Sequence, residues 1–420
     1  MKSPGYPYPR AAAVLALLVC WFAIRTTSAA DCDQWPRFRG ADGCGISAAQ
    51  NLPVKWSKSD VRWKVDLPGK GNSSPVVWKG RVFVTSGNED TAERYIVCLR
   101  ANDGKTIWEK QFPSTAFRQN QENTFGSSTP VVDDSGVYVY WTTPDAIWVT
   151  ALTIDGEVKW KKNLGPFESV HGSGASPVLL NNLLWINNDQ DGPSSLLAID
   201  VKSGEVKYKI DRRNEKVSYA TPCVLAREGL PSELIFAASS HGLTSVNPLS
   251  GSVNWDCTKI FKARTVSSPI ASDGLVICSC GEGGTGKRLV AVRPPQGKTP
   301  ATVVYDLKKD VPNVPTPLAK DGRLYILCDK GQIQCVRTAT GAPIWQQKLK
   351  DKFYGSPVWA QGRLYFISKA GVVFVIAAAD EFELLAQNDL GEPSFATPAI
   401  AQGTLFLRTV SHLVAVGGNR

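Results

Sequence analysis

Downstream of residue 60 the apolar residues come in short runs rich in Val, Ile, Leu, Tyr and Trp, and polar turns cut each run off. Residues 316–349 show the rhythm most clearly. They read TPLAKDGRLYILCDKGQIQCVRTATGAPIWQQKL, and the turn signals KDG, DKGQ and ATG divide them into four segments. Short segments enriched in branched and aromatic residues between such turns predict β-strands, here four joined as an antiparallel meander.

The unit recurs along the chain. Ser/Thr-Pro pairs fall at Ser74-Pro75, Thr129-Pro130, Ser176-Pro177, Thr221-Pro222, Ser268-Pro269, Thr316-Pro317, Ser356-Pro357 and Thr397-Pro398. Successive prolines lie 55, 47, 45, 47, 48, 40 and 41 residues apart. Each opens an apolar stretch, and each unit then carries Leu-x-Ala-apolar, as in LLAID (196–200), LVAVR (289–293) and HLVAV (412–416). Five segments end on Gly, three variable residues and an aromatic: GKTIW (104–108), GEVKW (156–160), GEVKY (204–208), GSVNW (251–255) and GAPIW (341–345).

A four-stranded unit of about 40–50 residues repeated eight times predicts an all-β fold, an eight-bladed β-propeller of four-stranded antiparallel blades. The glycine is expected in the turn before the outermost strand, where a positive φ is often needed, and the aromatic on that strand, packed between blades. The expected seam aromatics are Trp63, Trp108, Trp160, Tyr208, Trp255, Tyr305 and Trp345; the seventh unit, DEFELLA, has only Leu384 or Leu385 for that role. The last unit (395–420) supplies three strands and stops. VRWKVDL (61–67) is therefore expected to add the fourth and close the ring without a free edge.

The first thirty residues are of another kind. Lys2 and Arg10 precede the apolar run AAAVLALLVCWFAI (11–24), and RTTSAA ends at Ala30. This is the pattern of a secretory signal, too short to span a bilayer comfortably, with cleavage expected after Ala29 or Ala30. Cys20 in LLVC only weakly matches a lipoprotein site, because Val19 is bulkier than the small residue such a site wants. The chain thus divides into a signal peptide (1–30), an N-terminal extension or cap (31–56) and a propeller (57–420). No other run approaches membrane-spanning length, and periplasm or cell envelope is the expected address.

Charge and cysteines narrow the picture a little. Of 47 Lys and Arg against 38 Asp and Glu, three basic residues fall in the leader, which leaves 44 against 38, a net +6. No Lys/Arg block is dense enough to track a phosphate backbone, which argues against nucleic acid as a partner. Setting Cys20 aside leaves nine of the ten cysteines in a compartment that permits disulfides. Cys32 and Cys44 flank a Gly-rich segment they could staple, and Cys328 and Cys335 lie on two arms of one hairpin. The other five read as buried thiols.

The pattern Ala-apolar-Asp-x-x-Ser/Thr-Gly-x-x-x-Trp, seen in AIDVKSGEVKY (198–208) and QCVRTATGAPIW (334–345), resembles the repeat of quinoprotein-type propellers. That superfamily holds both the pyrroloquinoline quinone (PQQ) dehydrogenases and the non-enzymatic outer-membrane assembly lipoprotein BamB. The head WPRFRGADGCGIS (35–47) with LPVKW (52–56) is similar to the opening of many exported bacterial proteins with PQQ-binding-like repeats. Membership among the dehydrogenases would imply PQQ over the propeller axis with a bound Ca²⁺, a catalytic Asp and, in many members, a disulfide between adjacent cysteines. This sequence has no Cys-Cys pair, Cys278-Ser-Cys280 being the nearest approach, and its blades leave no room for long insertions. The resemblance therefore implies a BamB-like, monomeric binding scaffold without cofactor, whose partner is an envelope protein, peptide or β-strand. A PQQ-dependent dehydrogenase and a polysaccharide-binding propeller are the alternatives.

Several local patterns could carry chemistry. GEGGTGK (281–287) has the glycine-lysine spacing of a phosphate loop, but Arg288 stands where Mg²⁺ binding needs Ser/Thr and a strand follows, so it reads as a hairpin turn. Asn187, Asp189, Asp191 and Gly192 are spaced like half of a calcium loop, but Ala198 replaces its final Glu and no helices flank it, so it reads as a polar turn. His241 and His412 sit in β-turn contexts. His171, near Glu168, could serve acid–base chemistry but has no neighbouring nucleophile.

What remains is a binding face. Loops that lead into inner strands converge at one mouth of a propeller's channel. They carry Arg118, Asn120, Glu122, Asn123, Glu168, His171, Tyr219, Arg264, Phe353 and Tyr354, with 112–127 the longest and a natural recognition element. The Ser/Thr of each repeat is expected to cap strand-end backbone. No catalytic residue and no metal ligand is assigned.

Overall fold

The computed structural model describes Met1, residues 34–169 and residues 171–417. The cleavage site, Cys20 and the Cys32 end of the staple lie outside the described residues. Eight four-stranded antiparallel sheets follow one another round a ring. Blade 1 consists of Val76–Trp78, Arg81–Gly87, Arg94–Arg100 and Thr106–Phe112. Blades 2 to 7 occupy 131–163, 178–212, 223–257, 270–307, 318–348 and 358–389. Blade 8 takes Ala399–Ala401, Thr404–Arg408 and His412–Gly417 from the C-terminus and Val61–Asp66 from the N-terminal side. That closing strand pairs antiparallel with His412–Gly417, placing Trp63 opposite Ala415. Among the described residues no helix is long and apolar enough to cross a membrane.

The repeat motif acquires a physical explanation at the seams. In every blade the register between the two outer strands slips by one residue just beside the position of the aromatic. Such a bulge re-aims a side chain and bends the strand. Trp108 stands opposite Cys98, Trp160 opposite Ala151, Tyr208 opposite Ala198, Tyr305 opposite Ala291 and Trp345 opposite Cys335. The small residue of Leu-x-Ala therefore makes room for the large ring. In blade 7 the sizes are exchanged, Val375 facing Ala386, and half-buried Leu385 completes that seam while Leu384 is exposed.

The glycine of each pentamer serves the preceding blade. A Cβ on Gly104 would sit 2.7 Å from the Trp63 ring, one on Gly156 2.7 Å from Trp108, and one on Gly204 2.7 Å from Trp160. The indole N–H groups then bond the next blade's backbone: Trp63 to Ala101 O (3.0 Å), Trp108 to Ile154 O (2.9 Å), Trp160 to Val201 O (3.0 Å) and Trp345 to Ala379 O (3.0 Å). Tyr208 does the same through its hydroxyl to Leu249 O (2.6 Å). Two seams depart. Trp255 turns its N–H to Glu233 Oε2 of its own blade (2.8 Å), and Tyr305 packs on Gly341 with its hydroxyl unpartnered.

The head plugs one end of the channel. Trp35 exchanges two backbone hydrogen bonds of 2.8 Å with Val77, and Pro36, Asp42 and Gly45 offer carbonyls to Val132, Val224 and Trp359. Arg37 and Arg39, both fully buried, hydrogen-bond the carbonyls of Pro222 (2.9 Å), Pro357 (2.8 Å) and Pro317 (2.9 Å). Gly43 and Gly45 hold φ of +84° and +80°, and a Cβ there would strike these guanidiniums at 2.2 and 2.8 Å. In blade 8, His412 bridges Glu392 (2.6 Å) and Asp66 (2.7 Å), tying the closing strand to its neighbour.

Candidate functional site: a blind cavity on the propeller axis

The Ser/Thr of the eight repeats form a closed hydrogen-bonded ring. Each backbone N–H donates to the hydroxyl of the following blade, from Ser74 to Thr129 (2.9 Å) and onward through Ser176, Thr221, Ser268, Thr316, Ser356 and Thr397. Thr397 N–H returns to Ser74 Oγ (3.2 Å). Proline follows each donor and has no N–H of its own, so this is the last backbone donor before the inner strand begins. All eight of these side chains border an axial cavity of about 640 Å³, and Phe38 of the plug faces it from below. Among the described residues the plug closes one end of the channel, and the cavity opens at the other.

The mouth is built by the irregular loops. Asn123 Nδ2 donates to His171 O (2.8 Å) and Ser173 O (3.0 Å), which joins the 113–127 and 167–175 loops. Lys369 pairs with Glu122 across the opening and lies 5.3 Å over the Tyr354 ring and 5.6 Å over Phe395. Arg264 approaches Glu282 (3.8 Å), which also binds Lys216 (3.2 Å). Burial, and then the charge of Arg264, hold the His171 imidazole below its ordinary value. Burial raises the Tyr219 phenol to about 12 and pushes Asp329 up, although the Asn313 and Val314 N–H groups bond its carboxylate.

Of the residues expected at the mouth, Asn120, Glu122, Asn123, His171, Tyr219, Arg264 and Tyr354 line the cavity together. Three do not. Phe353 is fully buried against Phe366 and Phe374, because the residue before Tyr354 alternates to the core side of its segment. Arg118 and Glu168 are exposed and lie outside the cavity lining. Sequence reasoning overlooked Glu282, Asp329, Lys330, Lys352 and Lys369, which also line it. A usable signal existed for most of them. In a meander the turn between the second and third strands returns to the end at which the first begins, so DKG (329–331) and SKAG (368–371) had to reach the mouth.

The local patterns are accounted for differently. Gly283 and Gly284 turn the hairpin between Leu275–Glu282 and Thr285–Arg293 at the cavity rim. The calcium-like segment braces blade 3 to the chain entering blade 4. Asn187 bonds Ser218, Asp191 accepts the Val217 N–H, and buried Asp189 lies 3.1 Å from buried Arg212. Cys328 and Cys335 are separate free thiols, as are Cys278 and Cys280, all of them buried.

PQQ with a metal would need a carboxylate cluster facing a flat aromatic floor. The cavity has room, but its carboxylates Glu122, Glu282 and Asp329 each already hold a partner, and its floor is a hydroxyl ring round one Phe. Among the described residues no group of three His, Cys, Asp or Glu is placed to hold a metal ion. The residues present do not fit that cofactor.

Eight blades with this glycine–aromatic seam define a PQQ-repeat β-propeller. The family described as outer membrane protein assembly factor BamB matches residues 92–299 and 285–416, well over half the chain, and this protein belongs to that family. No curated protein matches the sequence. Similar solved structures include a europium-containing methanol dehydrogenase at 11% identity (TM-score 0.69; 92% of this chain, 90% of that one). BamB from Moraxella catarrhalis aligns at 13% identity (TM-score 0.60; 86% and 97%), and the quinohemoprotein alcohol dehydrogenase of Comamonas testosteroni at 12% (TM-score 0.65; 94% and 82%). At such identities the likeness concerns the fold, which hosts both scaffolds and dehydrogenases.

Proposed function

We propose that this protein is an exported, non-enzymatic binding propeller that works in the periplasm or cell envelope in the manner of BamB, receiving a segment of an envelope protein at the open mouth of its axial cavity. The observation that carries this reading is the lining. Amides (Asn72, Asn120, Asn123), tyrosines (Tyr219, Tyr354) and lysines (Lys330, Lys352) from loops of different blades converge on one opening. Such a surface suits peptide backbone and mixed side chains, which need donors, acceptors and flat apolar contact together. The carboxylates Glu122, Glu282 and Asp329 are instead tied to lysines or to backbone N–H groups.

A photo-crosslinking residue at Lys352 or Tyr354 tests the idea in whole cells. Capture of an outer-membrane protein precursor or assembly component from these positions, and none from Gln50 on the plug side, is the expected outcome. Arg264→Ala combined with Tyr354→Ala should weaken capture. Equal capture from both faces would count against the mouth. Added PQQ and Ca²⁺ that produced a bound chromophore and dye-linked alcohol or sugar oxidation would replace the scaffold reading with the dehydrogenase one.

A further inference from the structure

Beneath the 113–127 loop a second, much smaller cavity of about 20 Å³ lies between blades 1 and 2. Arg94 of blade 1 lines it and is only 3% exposed. Its guanidinium lies 4.1 Å over the Phe125 ring, and Nη2 donates a long 3.4 Å bond to Thr142 O. Among the described residues Nε and Nη1 have no partner. Arg94 makes no ion pair among the described residues; Glu89, the carboxylate whose field reaches it, offers Oε1 to the Phe125 N–H at 3.5 Å.

Four more residues lining this cavity have a buried atom without a partner among the described residues: Gln119 Nε2, Ser128 Oγ, Trp141 Nε1 and Thr142 Oγ1. Together with Arg94 that makes six unpartnered atoms, and all are N–H or O–H donors. Not one is a bare carbonyl or carboxylate oxygen. Buried donors without an acceptor are uncommon, and a buried cation without an anion is rarer still.

We propose that this cavity binds one chloride ion, held by Arg94, Gln119, Ser128, Trp141 and Thr142, and that the ion fastens the recognition loop to blades 1 and 2. Size and chemistry both select the ligand. About 20 Å³ exceeds the roughly 10–15 Å³ one water needs, yet is too small for a tetrahedral oxyanion. A water could turn its hydrogens only toward the Ser128 and Thr142 hydroxyls, since the guanidinium, the indole and the amide nitrogen can only donate, and it would leave the charge uncompensated. A halide accepts from all of them. Gln119, Phe125 and Ser128 belong to the same chain segment as Asn120 and Asn123 of the large cavity's lining, so the ion's occupancy governs how firmly that lining is held.

The purified full chain can be melted in sodium chloride, sodium bromide and sodium gluconate at matched ionic strength. The expected result is a halide-specific rise in Tm that grows with the logarithm of concentration, as mass action requires, and that gluconate does not reproduce. Arg94→Met should abolish that increment. Thr142→Val with Gln119→Leu, which keeps the cation, should shift it to higher halide concentration. Independently of any variant, a bromide-soaked crystal should show an anomalous peak among Arg94, Ser128 and Trp141. Identical melting in chloride and gluconate, or a water with no bromide peak at that position, would overturn the assignment.

Discussion

Gly204→Ala isolates the interaction on which the ring of blades depends. Gly204 has φ +71°, and a methyl group there costs about 1 kcal/mol through the left-handed backbone alone. The added Cβ would also lie 2.7 Å from Cδ2 and 2.9 Å from Cε3 of Trp160. That ring cannot swing away, because it is 9% exposed and its Nε1 is bound to Val201 O at 3.0 Å. Overpacking of this kind adds about 1–3 kcal/mol, for a total of about 2–4 kcal/mol. Gly274 is the control, since its φ is +72° and no atom lies within 4 Å of its would-be Cβ. Gly274→Ala should therefore cost about 1 kcal/mol, the backbone part only. Trp160→Ala alone should cost about 3–5 kcal/mol, but in its background Gly204→Ala should fall back to the level of the control. Urea midpoints of the five proteins, read with native-state amide exchange at the seam of blades 2 and 3, measure all of this. Equal losses at the two glycines, or an undiminished Gly204→Ala loss once Trp160 is gone, would refute the argument.

The hydroxyl ring predicts that Thr316→Ala, which strips the acceptor from the Ser268 N–H, lowers stability by about 1–3 kcal/mol in thermal melts, and that Thr316→Ser restores it. Arg39→Met removes the donors to Pro317 O and Pro357 O and should free the plug before the blades. Limited proteolysis is expected to cut within 40–47 while the propeller core stays intact; cleavage spread evenly over the chain would speak against a separable plug. Burial disfavours the charged Glu392, yet hydrogen bonds from Ser411, Thr409 and His412 outweigh it and hold the carboxyl at about 2, below its ordinary 4.5. A depressed folded value stabilises the fold above the unfolded one, so this contribution is full above pH 4.5 and disappears as pH falls toward 2. Acid unfolding followed by circular dichroism should be flatter over that window in Glu392→Gln, and an unaltered profile would contradict the linkage.

The seam and the mouth differ in how far they were legible. The seam repeats, and repetition averages out the noise of any single segment. Eight Ser/Thr-Pro pairs were enough to count blades, and a unit one strand short was enough to find its complement at Val61–Asp66. The mouth does not repeat. Asn120 and Tyr354 could be placed there because they precede inner strands, but the same rule also nominated Phe353, whose side chain alternates into the core. Lys369 and Glu122, 247 positions apart, meet only because the ring brings a turn of blade 7 and the loop leading into blade 2 to the same mouth.

What the amino-acid order determined by itself was local and periodic: strand lengths, turn positions, the small residue opposite each seam aromatic, and hence an eight-bladed ring. Tertiary structure alone decided whatever depends on closing that ring. Whether WPRFRGADGCGIS seals the channel or lies outside is invisible in its composition, because Arg37 and Arg39 find their acceptors on Pro222, Pro317 and Pro357, carbonyls that converge only once the inner strands surround a common axis. The same holds for the pocket of unpartnered donors beneath the recognition loop. Arg94, Gln119, Ser128 and Trp141 draw no notice one at a time, and what sets them apart is that folding brings their unpartnered donors to the lining of one small cavity.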